Sequence, residues 1–368
     1  YSQLGDTTTT SRSNPVAVTA TATGSIGFGS GVVAISVTDN STCAVKAGGL
    51  AYCWGYNNYS QLGDGTATAR TVPTAVLTAA STPITNVTDI ALSITGNCVL
   101  TNLGATGQPY CVGYGGHGFI GDGAGTARTY ETKVLTSAAV SSFAGVSNIT
   151  VGSHHVCAVQ SGAAFCWGYN SYGQIGTGNT TNALYPTSVI NTSGGISLST
   201  GVSQVEASKT ATGSTCALKT SGALYCWGVG TTGQLTDGTI VSKSTPTAST
   251  MFTTSTSTMA LGDAFTCAID VSGLSCVGNN ASGQLGNGTT ANSTTARVTL
   301  ASFNAHLGAV DELPVQGATT ETGYAGTGQV LTGATVVESA TGSWYGYPLP
   351  ALTYQWWSCT STCLLYTS

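Results

Sequence analysis

At 368 residues the chain has room for two or three domains, and a 41% hydrophobic fraction supports packed cores, which excludes wholesale disorder. Only 6% of residues are charged, so solubility rests on Thr, Ser, Asn and Gly; nine basic residues scattered singly under a net charge of −5 leave no phosphate-binding stripe. Nucleic acid is therefore not an expected partner, and no apolar run reaches the roughly 18 residues of a membrane-spanning helix. The sequence opens at Tyr1 with neither Met nor a signal peptide, as a mature or trimmed product would.

One block returns along the chain. It reads SQLGDT at Ser2, SQLGDG at Ser60, GFIGDG at Gly118, GQIGTG at Gly173, GQLTDG at Gly233 and GQLGNG at Gly283, with steps of 58, 58, 55, 60 and 50 residues. A paired cysteine precedes each of the five internal copies: Cys43/Cys53, Cys98/Cys111, Cys157/Cys166, Cys216/Cys226 and Cys267/Cys276. Between the blocks lie Thr/Ser/Pro-rich loops such as TVPTAV and LYPTSV, then apolar runs such as VVAISVT and VSNITVG. The pattern predicts three or four short strands per unit and no helix.

Counting outward from the turns sets the register of each hairpin. Around a two-residue turn at Ser161-Gly162, Gln160 faces Ala163, Val159 faces Ala164, Ala158 faces Phe165 and Cys157 faces Cys166. Turns at Ala47-Gly48-Gly49 and Thr220-Ser221-Gly222 bring Cys43 opposite Cys53 and Cys216 opposite Cys226 by the same count. Directly opposed strand residues stand about 4.5–5.5 Å apart, within reach of a disulfide. Reduced thiols and zinc are the rival readings. Five pairs in one register argue against the first; the lack of a C-x₂-C knuckle, or of a His at ligand spacing, argues against the second. Cross-strand disulfides, each contributing about 2–3 kcal/mol, imply an oxidising setting: secretion or cell-surface display.

The motif CWGYNxxxQ[LI]GxG stands here as CWGYNNYSQLGDG, CWGYNSYGQIGTG and CWGVGTTGQLTDG, with weaker versions CVGYGGHGFIGDG and CVGNNASGQLGNG. It resembles the regulator of chromosome condensation repeat, in a bacterial, disulfide-containing extracellular variant, from Tyr1 to about Leu300. The resemblance implies an all-β fold: a β-propeller of four-stranded blades, here five complete repeats plus a partial one, with six or seven blades if closed. Val112 and Val277 replace the motif Trp, so those two blades are expected to pack differently at that spot. Trp54, Trp167 and Trp227 follow the second cysteine and point to the opposite strand face, as rings buried between blades or, on the sharper reading, ligand-stacking platforms. Asp64, Asp122, Asp237 and Asn287 share one slot, which Thr177 occupies in the third unit; an Asx turn is the simpler reading and a calcium site the sharper one.

After residues 1–305 and a linker at 306–318, residues 319–368 change character. Trp344, Pro348, Pro350, Tyr354, Gln355, Trp356 and a Cys359–Cys363 pair resemble the first half of a bacterial immunoglobulin-like domain, a truncated β-sandwich with an open sheet edge. Nine sequons, at Asn40, Asn58, Asn86, Asn148, Asn179, Asn191, Asn280, Asn287 and Asn292, are candidate glycosylation acceptors.

Chemistry is sparse. Of the four histidines, His154-His155 precedes a cysteine strand, where the resemblance implies a structural His, and His117 and His306 stand alone. A G-x-S-x-G elbow is absent, the glycines of GYGGHGFIGDGAG open no helix, and Asp311-Glu312 is the only adjacent acidic pair. No enzyme activity, cofactor or metal is expected. The family's best-known member exchanges guanine nucleotide on a small nuclear GTPase, but its partner-contacting residues have no counterpart here. The expectation is an extracellular structural or adhesive protein, a segment or subunit of a bacterial surface or appendage filament. In it the SQLGDTTTT segment would complete a blade in a neighbouring subunit and the half sandwich would receive a strand. The rival expectation is a recognition module that binds a glycan or cell-surface protein through loop aromatics Tyr56, Tyr59, Tyr169 and Tyr172. Intact-mass analysis after alkylation without reductant should show no modified thiol among the twelve cysteines; twelve alkylated thiols would remove both the oxidising setting and the role drawn from it.

Overall fold

A computed structural model describes residues 2–18, 31–102, 107–136, 141–189, 198–209, 213–252 and 255–299, and the backbone of 330–331 and 363–364. The chain divides into two units, Tyr1–Thr299 and Leu300–Ser368. Of the second, only a short ladder of β23 (Val330–Leu331) with β24 (Cys363–Leu364) is described. The linker, the immunoglobulin-like resemblance and the Cys359–Cys363 pairing therefore lie outside the described residues.

The first unit holds five four-stranded antiparallel sheets, here blades 1 to 5. Blade 1 is β1 (Val32–Val37), β2 (Ser41–Lys46), β3 (Leu50–Gly55) and β4 (Arg70–Ala75); a small ladder, β5 (Leu77–Ala79) with β6 (Thr82–Pro83), follows it. Blade 2 is β7 (Val87–Leu92), β8 (Gly96–Asn102), β9 (Gly107–Gly113) and β10 (Arg128–Lys133). Blade 3 is β11 (Val146–Val151), β12 (His155–Gln160), β13 (Ala163–Gly168) and β14 (Ala183–Ser188). Blade 4 is β15 (Val202–Ala207), β16 (Ser214–Lys219), β17 (Leu224–Gly228) and β18 (Lys243–Ala248); blade 5 is β19 (Thr258–Leu261), β20 (Phe265–Asp270), β21 (Gly273–Gly278) and β22 (Ser293–Thr299). A single 3-10 turn, Gly116–Gly118, is the one helical element among the described residues.

The hairpin registers follow the turns. Gln160 pairs with Ala163 and Cys157 with Cys166, across a turn in which Ser161 and Gly162 both take positive φ. Cys43 faces Cys53, Cys98 faces Cys111, Cys216 faces Cys226 and Cys267 faces Cys276. All five pairs are bonded, with Cα atoms 4.1 Å apart.

The cores lie between blades rather than inside them, because a single sheet has nothing of its own to pack against. Cys43, Val45, Cys53, Leu62 and Val76 of the first repeat bury against Val87, Ile90 and Leu92 of β7. The same arrangement repeats at the next three junctions, with the leading blade's disulfide in each cluster.

A polar clasp closes every junction. The loop that follows the third strand of one blade turns a main-chain carbonyl toward the next blade, where two cross-strand neighbours stand ready as donors. Trp54 Nε1 and Thr42 Oγ1 both reach Gln3 O at 2.9 Å, and Trp227 Nε1 and Thr215 Oγ1 both reach Gln174 O at 2.8 Å. Where the partner slot is Val156, Trp167 Nε1 alone serves Phe119 O at 3.0 Å. Where the Trp slot is Val, the partner strand supplies the donor: Asn97 Nδ2 to Gln61 O, opposite Val112, and Thr266 Oγ1 to Gln234 O, opposite Val277, each at 2.8 Å. Trp54, Trp167 and Trp227 are buried rings, which makes them anchors and removes the ligand-stacking alternative. Their close approach requires glycine: a Cβ on Gly176, at φ +79°, would fall 2.7 Å from Trp227 Nε1.

The first junction includes the N terminus. Residues 2–6 occupy the loop position ahead of blade 1, so the segment expected to reach a neighbouring subunit packs instead on its own chain.

The clasp makes an unequal prediction for two equivalent rings. Trp227→Val leaves Thr215 to serve Gln174 O, whereas Trp167→Val leaves Phe119 O with no donor in a dry junction. Both variants lose ring packing, but W167V should cost about 1–3 kcal/mol more in denaturant unfolding, and adding Val156→Thr should recover part of that difference.

Candidate functional site

In each blade the turn between first and second strands lies beside the exit of the third strand. At that exit a glycine with positive φ (Gly55, Gly113, Gly168) is followed by Tyr56, Tyr114 and Tyr169. Each tyrosine N–H donates to the adjacent turn, at Asn40 O, Thr95 O and His154 O respectively, over 2.8–2.9 Å. Three residues further on stand Tyr59, His117 and Tyr172. The loops that carry Tyr59 and Tyr172 are held by glutamine: their N–H groups donate to Gln61 Oε1 and Gln174 Oε1, each at 3.0 Å.

The rings meet edge-on or tilted across three blades. Tyr56 lies 6.3 Å from Tyr59, Tyr59 6.1 Å from Tyr114, and Tyr114 6.1 Å from His117 and 6.0 Å from His154. His117 is 5.0 Å and His154 6.2 Å from Tyr169, which is 6.1 Å from Tyr172. The result is one aromatic stripe with Tyr59, His117 and Tyr172 exposed and the other four rings half-buried. It ends at blade 3, because Val229 and Asn279 take the tyrosine slot in blades 4 and 5.

The structure thus joins the four loop tyrosines singled out by sequence to Tyr114, which sequence reading left aside, and to His117 and His154, which it read as a lone histidine and as part of a structural pair. The missed signal was positional. Tyr114 aligns with Tyr56 and Tyr169, and His117 with Tyr59 and Tyr172, once the copies are stacked on Gly55, Gly113 and Gly168.

Polar contacts fix the imidazoles. His117 Nδ1 pairs with Asn182 Nδ2 at 3.1 Å, and His154 Nδ1 with Ser153 Oγ at 2.7 Å. Burial, and then the neighbouring His117, lower the His154 pKa. His155 points the other way, into the junction, where Nε2 meets Thr215 Oγ1 at 2.9 Å; it is a structural residue, as the resemblance implied. Lys209 ties three blades at this same end: Nζ donates to Leu92 O and Val151 O, both at 2.8 Å. Burial lowers the Lys209 pKa, with the nearby Glu206 opposing.

The candidate calcium slot is committed elsewhere. Oδ1 of Asp64, Asp122, Asp237 and Asn287 accepts the N–H two residues on, as an Asx turn does. In the third unit Asn179, not Thr177, makes that turn. Arg70, Arg128 and Lys243 pair with the three aspartates. Among the described residues no group of three or more His, Cys, Asp or Glu could hold a metal ion.

Asn280 corrects one glycosylation expectation. It is fully buried, and its amide donates to Asn287 Oδ1, Thr289 O and Ala291 O, so the folded chain offers no free acceptor there. Asn57 and Asn170 organise their loops in the same way. Asn148 is half-buried and its Oδ1 accepts from Val205 N of the next blade. Asn58, Asn86, Asn179, Asn287 and Asn292 are exposed, Asn40 is half-buried, and Asn191 lies outside the described residues.

Comparison with known proteins places this geometry. The family model described as the regulator of chromosome condensation (RCC1) repeat matches residues 48–100, 161–213 and 221–269, and a second model of the same description matches residues 32–61. The ultraviolet-B receptor UVR8 of Arabidopsis thaliana is 28% identical over 208 residues, 56% of this chain and 43% of the receptor. The chain thus spans less than half the length of that curated relative. Human WBSCR16 superposes with a TM-score of 0.59 at 17% identity, covering 73% of this chain and 66% of that one. Yeast RCC1 (Prp20), solved bound to Kap60, gives 0.56 at 16% identity, covering 73% and 61%. A second Prp20p structure from Saccharomyces cerevisiae, whose study covers its binding to Gsp1p and histones, gives 0.56 at 17% identity, covering 73% and 62%. The chain carries repeats of this type, and its sheets are the blades of a β-propeller.

Buried His155 supplies a pH test. Burial, then His154 and Lys209, lower its pKa to about 3, against 6.5 ordinarily. As pH falls below about 6.5 the unfolded chain binds a proton that the folded chain refuses. Stability is therefore lost toward pH 3, at about 1.4 kcal/mol per pH unit. His155→Gln should flatten that limb relative to the wild type, whatever its effect at neutral pH; an unchanged slope in urea titrations would rule the assignment out.

Proposed function

We propose that the chain is a non-catalytic recognition module that holds a protein partner against its aromatic stripe, in an oxidising extracellular setting. The stripe is the observation that carries this reading. Tyrosine brings large contact area at low entropic cost, and aromatic residues dominate the energetic centres of protein interfaces. The half-buried rings brace the exposed ones, so little ordering remains to oppose binding. The five bonded cysteine pairs support the setting, and the Kap60, Gsp1p and histone contacts of the yeast relative support a protein as partner. The non-catalytic reading is supported by the acids of the repeated slot, which are spent on turns and ion pairs.

A second reading is favoured by a separate observation: Val32, Ile35 and Val37 on the first strand of blade 1 are exposed. On it the chain is a structural or adhesive segment of an extracellular assembly, in contact with neighbouring repeats of a longer chain or with further copies.

The recognition reading is tested by cross-linked capture from surface extracts with the full chain, against the double variant Tyr59→Ala/Tyr172→Ala. A partner held through the stripe should bind the variant roughly 10- to 100-fold more weakly. Equal capture by both would defeat the proposal, and saturable glycan-array binding with the same tyrosine dependence would replace the protein partner with a sugar.

A further inference from the structure

Blade 2 departs from its neighbours in the glycine-rich run GYGGHG, residues 113–118. Gly115 stands where blades 1, 3 and 5 place the loop-organising Asn57, Asn170 and Asn280. Gly116 stands where the other blades place Asn58, Ser171, Thr231 and Ala281. Both glycines are required by close approach. A Cβ on Gly116 would overlap the Tyr114 ring, which folds back over it, and a Cβ on Gly115 would overlap Thr126 O. His117 then takes φ +64°, a left-handed backbone that is strained outside glycine, whereas its counterparts Tyr59 and Tyr172 do not. Blade 3 adds a second departure. His154 occupies the turn slot that Asn40, Thr95, Gly213 and Ala264 hold in the other blades.

These departures close four rings of the stripe into a circuit. Tyr114 lies 6.1 Å from His117, His117 5.0 Å from Tyr169, Tyr169 6.2 Å from His154, and His154 6.0 Å from Tyr114. Adjacent planes meet at 54–88°, as the walls of a box do. Sides of this length put the middle of the circuit about 4 Å from each ring, inside the roughly 6 Å over which a cation is drawn to an aromatic face. Both imidazole Nδ1 atoms are engaged, on Asn182 and Ser153. Among the described residues no acid joins the two histidines in a group of three that could hold a metal ion. Burial, and then His117, lower the His154 pKa, which keeps that wall uncharged at neutral pH. A lysine ammonium or a guanidinium entering the box would bring N–H groups in want of acceptors. A trimethylammonium group brings charge and methyl surface and has no N–H to satisfy.

We propose that this box seats the trimethylammonium group of a methylated lysine on the protein partner, with the flanking tyrosines holding the residues on either side of it. The proposal rests on the stripe reading and narrows it: the stripe supplies contact area and the box supplies selectivity for charge. A polypeptide is favoured over a free choline-like solute because the rings continue past the box, through Tyr59 and Tyr56 on one side and Tyr172 on the other.

The test is a titration of the full chain, followed through the imidazole proton resonances, with short peptides that flank one central residue with glycines. That residue is trimethyllysine, unmodified lysine, or the uncharged tert-butyl isostere of trimethyllysine. Trimethyllysine should bind about 10-fold more tightly than either control. The preference should vanish in Tyr114→Val/Tyr169→Val, which should still fold because Val229 already fills this slot in blade 4. Gly116→Ala, which displaces the Tyr114 ring, should weaken it with both tyrosines in place. Equal affinity for trimethyllysine and its uncharged isostere would overturn the box, while capture by the Tyr59→Ala/Tyr172→Ala variant still decides the stripe. Choline binding as tightly as the trimethyllysine peptide would also overturn it, since a small solute would then be the occupant.

Discussion

One backbone carbonyl per junction governs this architecture. The loop after each third strand must turn back between blades, and its carbonyl enters a region from which water is excluded. A buried carbonyl without a donor costs on the order of 1–3 kcal/mol, so each junction has to supply an N–H or O–H from the facing blade. Only two slots point at it, cross-strand neighbours just before the first cysteine and just after the second. The chain fills them as Thr42/Trp54, Asn97/Val112, Val156/Trp167, Thr215/Trp227 and Thr266/Val277. Neither slot is invariant, but no pair lacks a donor. The constraint acts on the pair, which explains how two blades dispense with the tryptophan.

The exchange of Trp for Val reaches further in blade 2. Pro73, Pro186 and Pro246 precede the residue opposite the second cysteine in blades 1, 3 and 4, and blade 2 has Glu131 there. Gly5, Gly121 and Gly176 face an indole nitrogen, whereas Gly63 faces Val112 and Glu131 Oε1: the carboxyl occupies space that an indole fills elsewhere. Burial pushes Glu131 well above the usual carboxylate range, with Asn97 opposing. Neither its oxygens nor Asn97 Oδ1 has a hydrogen-bond partner among the described residues. Asn97 Nδ2 stays on the clasp, where it donates to Gln61 O. The junction that lost its ring has a buried carboxyl in the ring's place and an amide as its donor.

What could be read from sequence divides along physical lines. Register and disulfide partners followed from turn length alone, because antiparallel pairing leaves no freedom once the turn is fixed; Cys157 and Cys166 had to meet across Ser161-Gly162. Burial of the tryptophans followed from strand alternation. Partners in neighbouring blades did not, since they depend on how sheets stack. Nothing in its own segment marks Asn280 as a buried loop organiser rather than a sequon, and nothing separates His154, in the stripe, from His155, in the junction, except the side of the strand end each occupies.

The clasp also explains where variation is tolerated. Residues that face a junction serve two blades at once, so a change at one slot must be answered at its cross-strand neighbour, as Val112 is answered by Asn97. Residues at the third-strand exit owe the fold only their backbone N–H, which reaches the adjacent turn whether the side chain is Tyr56, Tyr114, Tyr169, Val229 or Asn279. Side-chain identity at that exit is therefore free of the packing constraint, and the chain places rings there in three consecutive blades and none in the next two. A scaffold that repeats to bury its carbonyls, with a non-repeating aromatic stripe on its unconstrained edge, separates stability from recognition within each unit of some fifty-six residues, the mean step between copies.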